Sequence, residues 1–298
     1  MSENGYNCSG TIPGSVYSFL LENQLMENPH YRDNELKATE IMDHEYTFTR
    51  QFDYIPDGVP VLLCCDGLDT LCDIYLNGRH IAYTENMHRA YEFEVTDKLA
   101  SGMNELRLVF HPADAYIKEK LQEGPIFGAS ESMQGFGNLR KAHCMFGWDW
   151  GPRLPDAGIW KDIYLLKKDS ARLLDIRLDQ YHEGNKVFVT PIVKTDAPAQ
   201  ISISCTAPDG NVFSLIANCK NEIPNPMLWM PRGLGEQHLY TIQVNLLEQD
   251  HIVDSVTRRI GLRVVKLIRE KDKYGQSFMH EVKKCGDLFF GFGFYSVR

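Results

Sequence analysis

Residues 146–160 read FGWDWGPRLPDAGIW, with Asp149 between Trp148 and Trp150, glycines at 147 and 151, and prolines at 152 and 155. These residue types at this spacing suit carbohydrate recognition. An indole can stack on a sugar ring, and a carboxylate accepts charge-assisted hydrogen bonds from hydroxyls. The same residues suit a packed corner of a β-domain, because tryptophan buries a large area wherever it is enclosed. If residues 147–151 run extended, Trp148 and Trp150 share one face and Asp149 takes the other. The residues alone leave packing and ligand contact both open.

Other chemistries find less support. The ten histidines form no HxH or HExxH, and no pair of CxxC elements is present, so no metal site and no metal cofactor is expected. GFGNLR (135–140) starts like a phosphate loop but carries arginine where the last glycine belongs and sits in no βαβ unit; GLGEQH (233–238) fails in the same way. Both read as turns, and no nucleotide cofactor is expected. No GxSxG elbow occurs, and Cys144 beside His143 reads as a buried thiol rather than a nucleophile. Acid/base cleavage of a glycoside needs two carboxyls about 5–10 Å apart across one bond. Asp66, Asp69, Asp73, Asp149, Asp156 and Asp162 are all available, but their spacing nominates no pair. No catalytic residue is assigned.

The chain as a whole has 298 residues, 43% hydrophobic and 24% charged, within the range of globular proteins and long enough for about two domains. Its net charge of −9 and its lack of a lysine/arginine run argue against nucleic acid as a partner. No apolar run is long enough to span a membrane. MSENGYNCSG lacks the basic and apolar regions of a secretory signal, so a cytoplasmic location is expected. The eight cysteines are accordingly expected to be free thiols in a reducing compartment, and the sequon Asn7-Cys8-Ser9 to be a chance match.

The elements that must position these residues are mostly strands. Tyr46, Phe48 and Phe52 open a strand-like run; VLLCCDGL (61–68) is continuously apolar, as a strand covered on both faces would be. LCDIYLNGRHIAYT (71–84) holds Asn77-Gly78 between two apolar runs, a hairpin signal. YEFEV (91–95) and ELRLVFH (105–111) alternate. Short strands at this spacing predict a sandwich or jelly roll. Two helices are predicted on it: GSVYSFLLENQL (14–25) with Ser15 as cap, and ADAYIKEKLQ (113–122) between a proline and a glycine. From about 171 a second all-β pattern starts, with strands at KVFVTPIV (186–193), QISISCTA (200–207), LYTIQVNLLE (239–248) and IVDSVTRRIGL (252–262), and a turn at Ala207-Pro208-Asp209-Gly210. Its size fits an immunoglobulin-like sandwich.

RKAHCMFGWDWGPRLPDAGIW (140–160) closely resembles the signature of the N-terminal domain of β-mannosidases in glycoside hydrolase family 2. IPGSVYSFLLENQLMENPHYRDNE (12–35) is similar to their opening segment, and residues 66–110 to their jelly-roll core. LWMPRGLGEQHLYTIQV (228–244) and RRIGLRVVKLI (258–268) are similar to the immunoglobulin-like domain that follows. AGIWKDIYL is generic to the wider family, galactosidases and glucuronidases included, whereas GWDWGPR narrows the likeness: related exo-glucosaminidases usually carry asparagine where this chain has Gly151.

The resemblance implies an all-β chain: a galactose-binding-like jelly roll over 1–168, an immunoglobulin-like β-sandwich over 169–268, and at 269–298 the lead-in to a (β/α)₈ catalytic barrel. DKYGQSFMHEVKKCGDLFF (272–290) resembles that lead-in, although GFGFYSVR departs from the family's glycine-alanine-asparagine segment. The two catalytic glutamates of the retaining mechanism belong to the barrel, so neither is expected in this chain. The resemblance also assigns Asp149 to binding hydroxyls of a terminal mannose, Trp148 and Trp150 to shaping its loop, and Arg140 to a charge-partner role nearby. The implied partners are a β-mannoside and the protein's own barrel.

Overall fold

The computed structural model describes residues 6–124, 126, 128–272, 275–283 and 289–295, with side chains as far as Val265 and at Lys271. Two compact units divide the chain, Met1–Asp169 and Ser170–Arg298.

The first unit runs, in order, β1 (Gly14–Ser15), α1 (Val16–Glu22), α2 (Asn34–Ile41), β2 (Tyr46–Tyr54), β3 (Val61–Cys65), β4 (Leu68–Asp69), β5 (Cys72–Leu76), β6 (Arg79–Thr84), β7 (Tyr91–Glu94), β8 (Gly102–Phe110), α3 (Ala113–Glu123), β9 (Phe146–Trp148), β10 (Gly151–Arg153), β11 (Gly158–Ile159) and β12 (Ile163–Lys167). Strands β2-β8-β5-β6 form one antiparallel sheet and β12-β3-β7 another. The two sheets share one core.

Alternation explains that core. Cys72, Ile74 and Leu76 of β5 and Leu106, Leu108 and Phe110 of β8 are buried, while Asp73 and Tyr75 between them lie on the other face. Every residue of β3 is buried, as its unbroken apolar run predicts. Asn77 and Gly78 turn the β5–β6 hairpin with φ of 52° and 76°, the left-handed pair that a two-residue hairpin turn requires. Ser15 caps α1: its side chain accepts from the Ser18 amide at 3.2 Å, and the Ser18 hydroxyl accepts from the Ser15 amide at 2.8 Å. Helix α3 sits between Pro112 and Gly124, as expected. Helix α2 was not expected; its mixed sequence NELKATEI offers no clear apolar stripe, and only Asn34 and Ala38 are buried.

The second unit holds β13 (Leu173–Glu183), β14 (Lys186–Thr195), β15 (Gln200–Thr206), β16 (Val212–Leu215), β17 (Asn221–Glu222), β18 (Tyr240–Glu248) and β19 (His251–Ile260). Sheets β13-β14-β17 and β16-β15-β18-β19 enclose Val187, Val189, Ile203, Tyr240, Ile242 and Val244. The Gly210 amide returns to the Ala207 carbonyl at 2.9 Å, closing the turn read from proline and glycine. Three further strands, β20 (Val265–Asp272), β21 (Gly275–Lys283) and β22 (Phe289–Tyr295), pair as an antiparallel ladder in the stretch where the sequence suggested only a lead-in. Residues 273–274, 284–288 and 296–298, and with them Cys285, lie outside the described residues. The chain is all-β in class, a galactose-binding-like jelly roll followed by an immunoglobulin-like sandwich.

Candidate functional site

The signature segment is built on a small core of its own. Leu71, Ile117 of α3, Leu139 and Phe146 are buried together, with Met133 and Phe136 packed against them; the rings of Phe136 and Phe146 stack at 5.9 Å. From this base β9 and β10 rise as a hairpin, Trp148 facing Gly151 and Phe146 facing Arg153. Asp149 and Trp150 are the two turn residues. Residues 147–151 are therefore not extended, as the alternation argument supposed. The chain reverses at Asp149, so the aspartate stands at the tip instead of on the reverse face of a strand.

Neither tryptophan is packed into the unit. Trp148 is 46% exposed and Trp150 82%, and their rings meet at 5.2 Å with a 38° tilt. Asp149 is exposed beside them. Arg140 is exposed too, but it forms no ion pair with Asp149; its backbone is tied instead to Met87, whose amide donates to the Arg140 carbonyl at 3.0 Å. The structure thus brings Trp148, Asp149 and Trp150 into one tip and leaves Arg140 outside that grouping. A convex, apolar-flanked carboxylate can accept hydrogen bonds and offer ring faces, but it encloses nothing alone. Asp149, Trp148, Trp150 and Arg140 line neither the cavity of about 1000 Å³ between edge strands β2 and β12, walled by Phe19, Phe48, Phe52 and Leu63, nor a second of about 530 Å³ beside α2.

Just before the hairpin lies a buried ion pair absent from the sequence reading. The Lys141 side chain is fully buried, its ammonium 2.5 Å from Asp69 Oδ2 and 2.6 Å from the Asp156 carbonyl oxygen; the Thr70 hydroxyl donates to the other Asp69 oxygen. Asp156 in turn accepts from the backbone amides of Tyr17 and Ala157, at 3.1 and 2.8 Å. Burial raises its carboxyl above the usual range despite these donors. Lysine and aspartate so far apart in sequence carry no signal of pairing, although Lys141 follows directly on Arg140 in the signature.

Among the described residues no group of histidine, cysteine and carboxylate side chains could hold a metal ion, and no helix is long and apolar enough to cross a membrane. Among the described residues seven cysteines are free. Cys144, expected to be buried, is exposed, because the short turn His143–Met145 carries it outward ahead of β9.

Comparison with known proteins agrees with this architecture. Residues 2–161 match the family model of the glycosyl hydrolase 2 galactose-binding-like domain, and residues 173–263 match that of glycosyl hydrolases family 2. Among curated relatives, β-mannosidase B of Aspergillus oryzae is 30% identical over 94% of this chain, and β-mannosidase B of Emericella nidulans 29% over the same share. The chain spans about a third of their length, 35% in each case. Among solved structures, the β-D-mannosidase of Dictyoglomus thermophilum superposes over 95% of this chain and 37% of its own, with a TM-score of 0.80 and 29% identity. The exo-chitosanase of Amycolatopsis orientalis, 18% identical with a TM-score of 0.61, shares the fold. With models of the same family covering both units in order, this chain belongs to glycosyl hydrolase family 2.

Proposed function

We propose that this chain is the non-catalytic N-terminal portion of a retaining exo-β-mannosidase and that it supplies Asp149 to the subsite for the terminal mannose. The observation that carries this reading is the hairpin tip: an exposed carboxylate with no ion-pair partner among the described residues, flanked by two exposed tryptophans and lining neither of the two cavities of the unit. Its exposed apolar surface suits a site completed by a second body. The likeness to β-mannosidases over nearly the whole chain supports mannose as the sugar. Asp149 would accept hydrogen bonds from sugar hydroxyls, selecting stereochemistry through their direction. In this reading Trp148 and Trp150 shape the tip around the carboxylate.

The experiment joins this chain in frame to the catalytic barrel of a β-mannosidase. Asp149→Ala should then lower kcat/KM on an aryl β-mannoside by about 10- to 100-fold, the worth of a charge-assisted hydrogen bond, with the melting curve unchanged. An unchanged kcat/KM removes Asp149 from the subsite. The chain alone should show no turnover; clear hydrolysis would overturn the non-catalytic assignment. The exposed indole pair favours a second reading, a stand-alone carbohydrate-binding module. Calorimetric titration of the chain with manno-oligosaccharides separates the two: the first reading expects no measurable heat, the second a saturable one.

A further inference from the structure

The aim of the Asp149 tip depends on something below it, since a two-residue turn on strands of three residues each has little to hold it. Two such strands alone are marginal in water. The support comes from residues 131–133, which lie along the free side of β9. The Met133 amide donates to the Phe146 carbonyl at 2.9 Å, the Ser132 hydroxyl to the Gly147 carbonyl at 2.6 Å, and the Arg153 guanidinium to the Glu131 carbonyl at 2.9 Å. Residues 129–132 are themselves stapled: the Gln134 side-chain amide donates to the carbonyls of Ala129, Ser130 and Ser132, at 3.2, 3.3 and 3.0 Å.

Of these contacts one acts directly on the tip. Gly147 has φ of +88°, a conformation open to glycine, and a Cβ there would lie 2.5 Å from Arg153 Cγ. The backbone at Gly147 therefore has more freedom than at any side-chain-bearing neighbour, and its peptide plane must be fixed from outside. That plane joins Gly147 to Trp148, the last residue before the turn. Its carbonyl is held by the hydroxyl of Ser132, a residue only 5% exposed, so water has little access to replace the bond if it is lost.

We infer that Ser132 is a positioning residue for the Asp149 tip: by donating to the Gly147 carbonyl it sets the Gly147–Trp148 peptide plane and with it the direction in which Asp149 points. The inference rests on the proposed role of Asp149 for its meaning in catalysis, but its geometry stands in this chain alone. Ser132 touches no sugar; it acts through Gly147.

The test compares Ser132→Ala and Ser132→Thr with the parent chain. Amide hydrogen exchange across Trp148–Gly151 should quicken by about tenfold or more in Ser132→Ala, equivalent to about 1.4 kcal/mol of local opening. Exchange in β5, β8 and the second unit should stay unchanged. Ser132→Thr, which keeps the hydroxyl, should restore the slow exchange. The far-ultraviolet exciton signal of the Trp148–Trp150 pair, which depends on their tilt, should weaken in the alanine variant and return in the threonine one. Unchanged exchange at the tip in Ser132→Ala overturns the inference. So does loss of protection throughout the first unit that threonine fails to repair, since that would make Ser132 merely structural. If Asp149→Ala leaves the barrel-joined enzyme unaffected, the subsite reading fails while these exchange results still decide whether Ser132 sets the tip.

Discussion

At the scale of single residues, buried polar side chains join an apolar base in holding the candidate site in place, while Trp148, Asp149 and Trp150 face outward. Lys141 illustrates why. Its ammonium loses water completely and is compensated by Asp69 and by the Asp156 carbonyl. Because a buried charge stripped of its partner costs more than the pair contributes, Lys141→Met should destabilise the first unit by about 3–5 kcal/mol, read from denaturant midpoints. Adding Asp69→Asn to that variant should recover part of the loss by removing the orphaned carboxylate. A loss under about 1 kcal/mol for Lys141→Met would mean that the pair is a passenger of the fold. The exposed thiol of Cys144 makes the converse point: burial is set by where the backbone goes, and a hydrophobic residue type does not guarantee it.

At the scale of elements, one polar chain crosses a whole sheet. Glu45 immediately precedes β2, His111 immediately follows β8, Asp73 lies on β5 and His80 on β6. Glu45 Oε1 is 2.5 Å from His111 Nδ1, Asp73 Oδ2 is 2.8 Å from His111 Nε2, and Asp73 Oδ1 is 2.6 Å from His80 Nε2. Both ring nitrogens of His111 thus face a carboxylate oxygen. Burial pushes the Asp73 carboxyl upward, but the hydrogen bonds and charges of His111 and His80 outweigh it and hold the group below the usual carboxylate range. A carboxyl lowered on folding contributes stability that is fully present above its unfolded pKa of about 3.9 and is lost as pH falls through the folded value. The stability advantage of the parent over Asp73→Asn should therefore shrink as pH is lowered from about 5 toward 2, in denaturant titrations at a series of pH values. A constant difference across that window would show that the strap contributes nothing through ionisation.

At the scale of the whole molecule, each unit carries its own hydrophobic core, one around Ile74, Leu108 and Phe110, the other around Val189, Ile242 and Val244. A domain with a core of its own can fold alone. Residues 1–169 and 170–298 expressed separately should therefore each unfold cooperatively, and calorimetry of the intact chain should resolve two transitions. A fragment that unfolds without cooperativity would tie its stability to the other. This independence fits the proposed role, in which a jelly roll carries a loop into a site that it does not itself enclose.

Much of this was legible in the residues, and the reason is local physics. The Asn77-Gly78 turn, the Ser15 cap, the unbroken apolar run of β3 and the alternation of β5 and β8 each follow from dihedral preference or from side chains alternating across a strand, which act within a few residues. The exposed tip was legible as a motif but not as a shape: alternation could place its side chains only on the condition that the run is extended, whereas the chain reverses at Asp149 and Trp150. The cause lies outside that stretch, in the pairing of Phe146 with Arg153 and in the support from Ser132 and Met133. Helix α2 and the Lys141–Asp69 pair were not legible at all, the first for want of an amphipathic stripe, the second because its partners stand 72 positions apart. By itself the sequence determined many of the strands, where several of them turn, and that Trp148, Asp149 and Trp150 stand together in one motif. Only the tertiary structure decided which of those residues meet, because a contact between distant positions depends on how the sheets close around it and not on any pattern the chain carries locally.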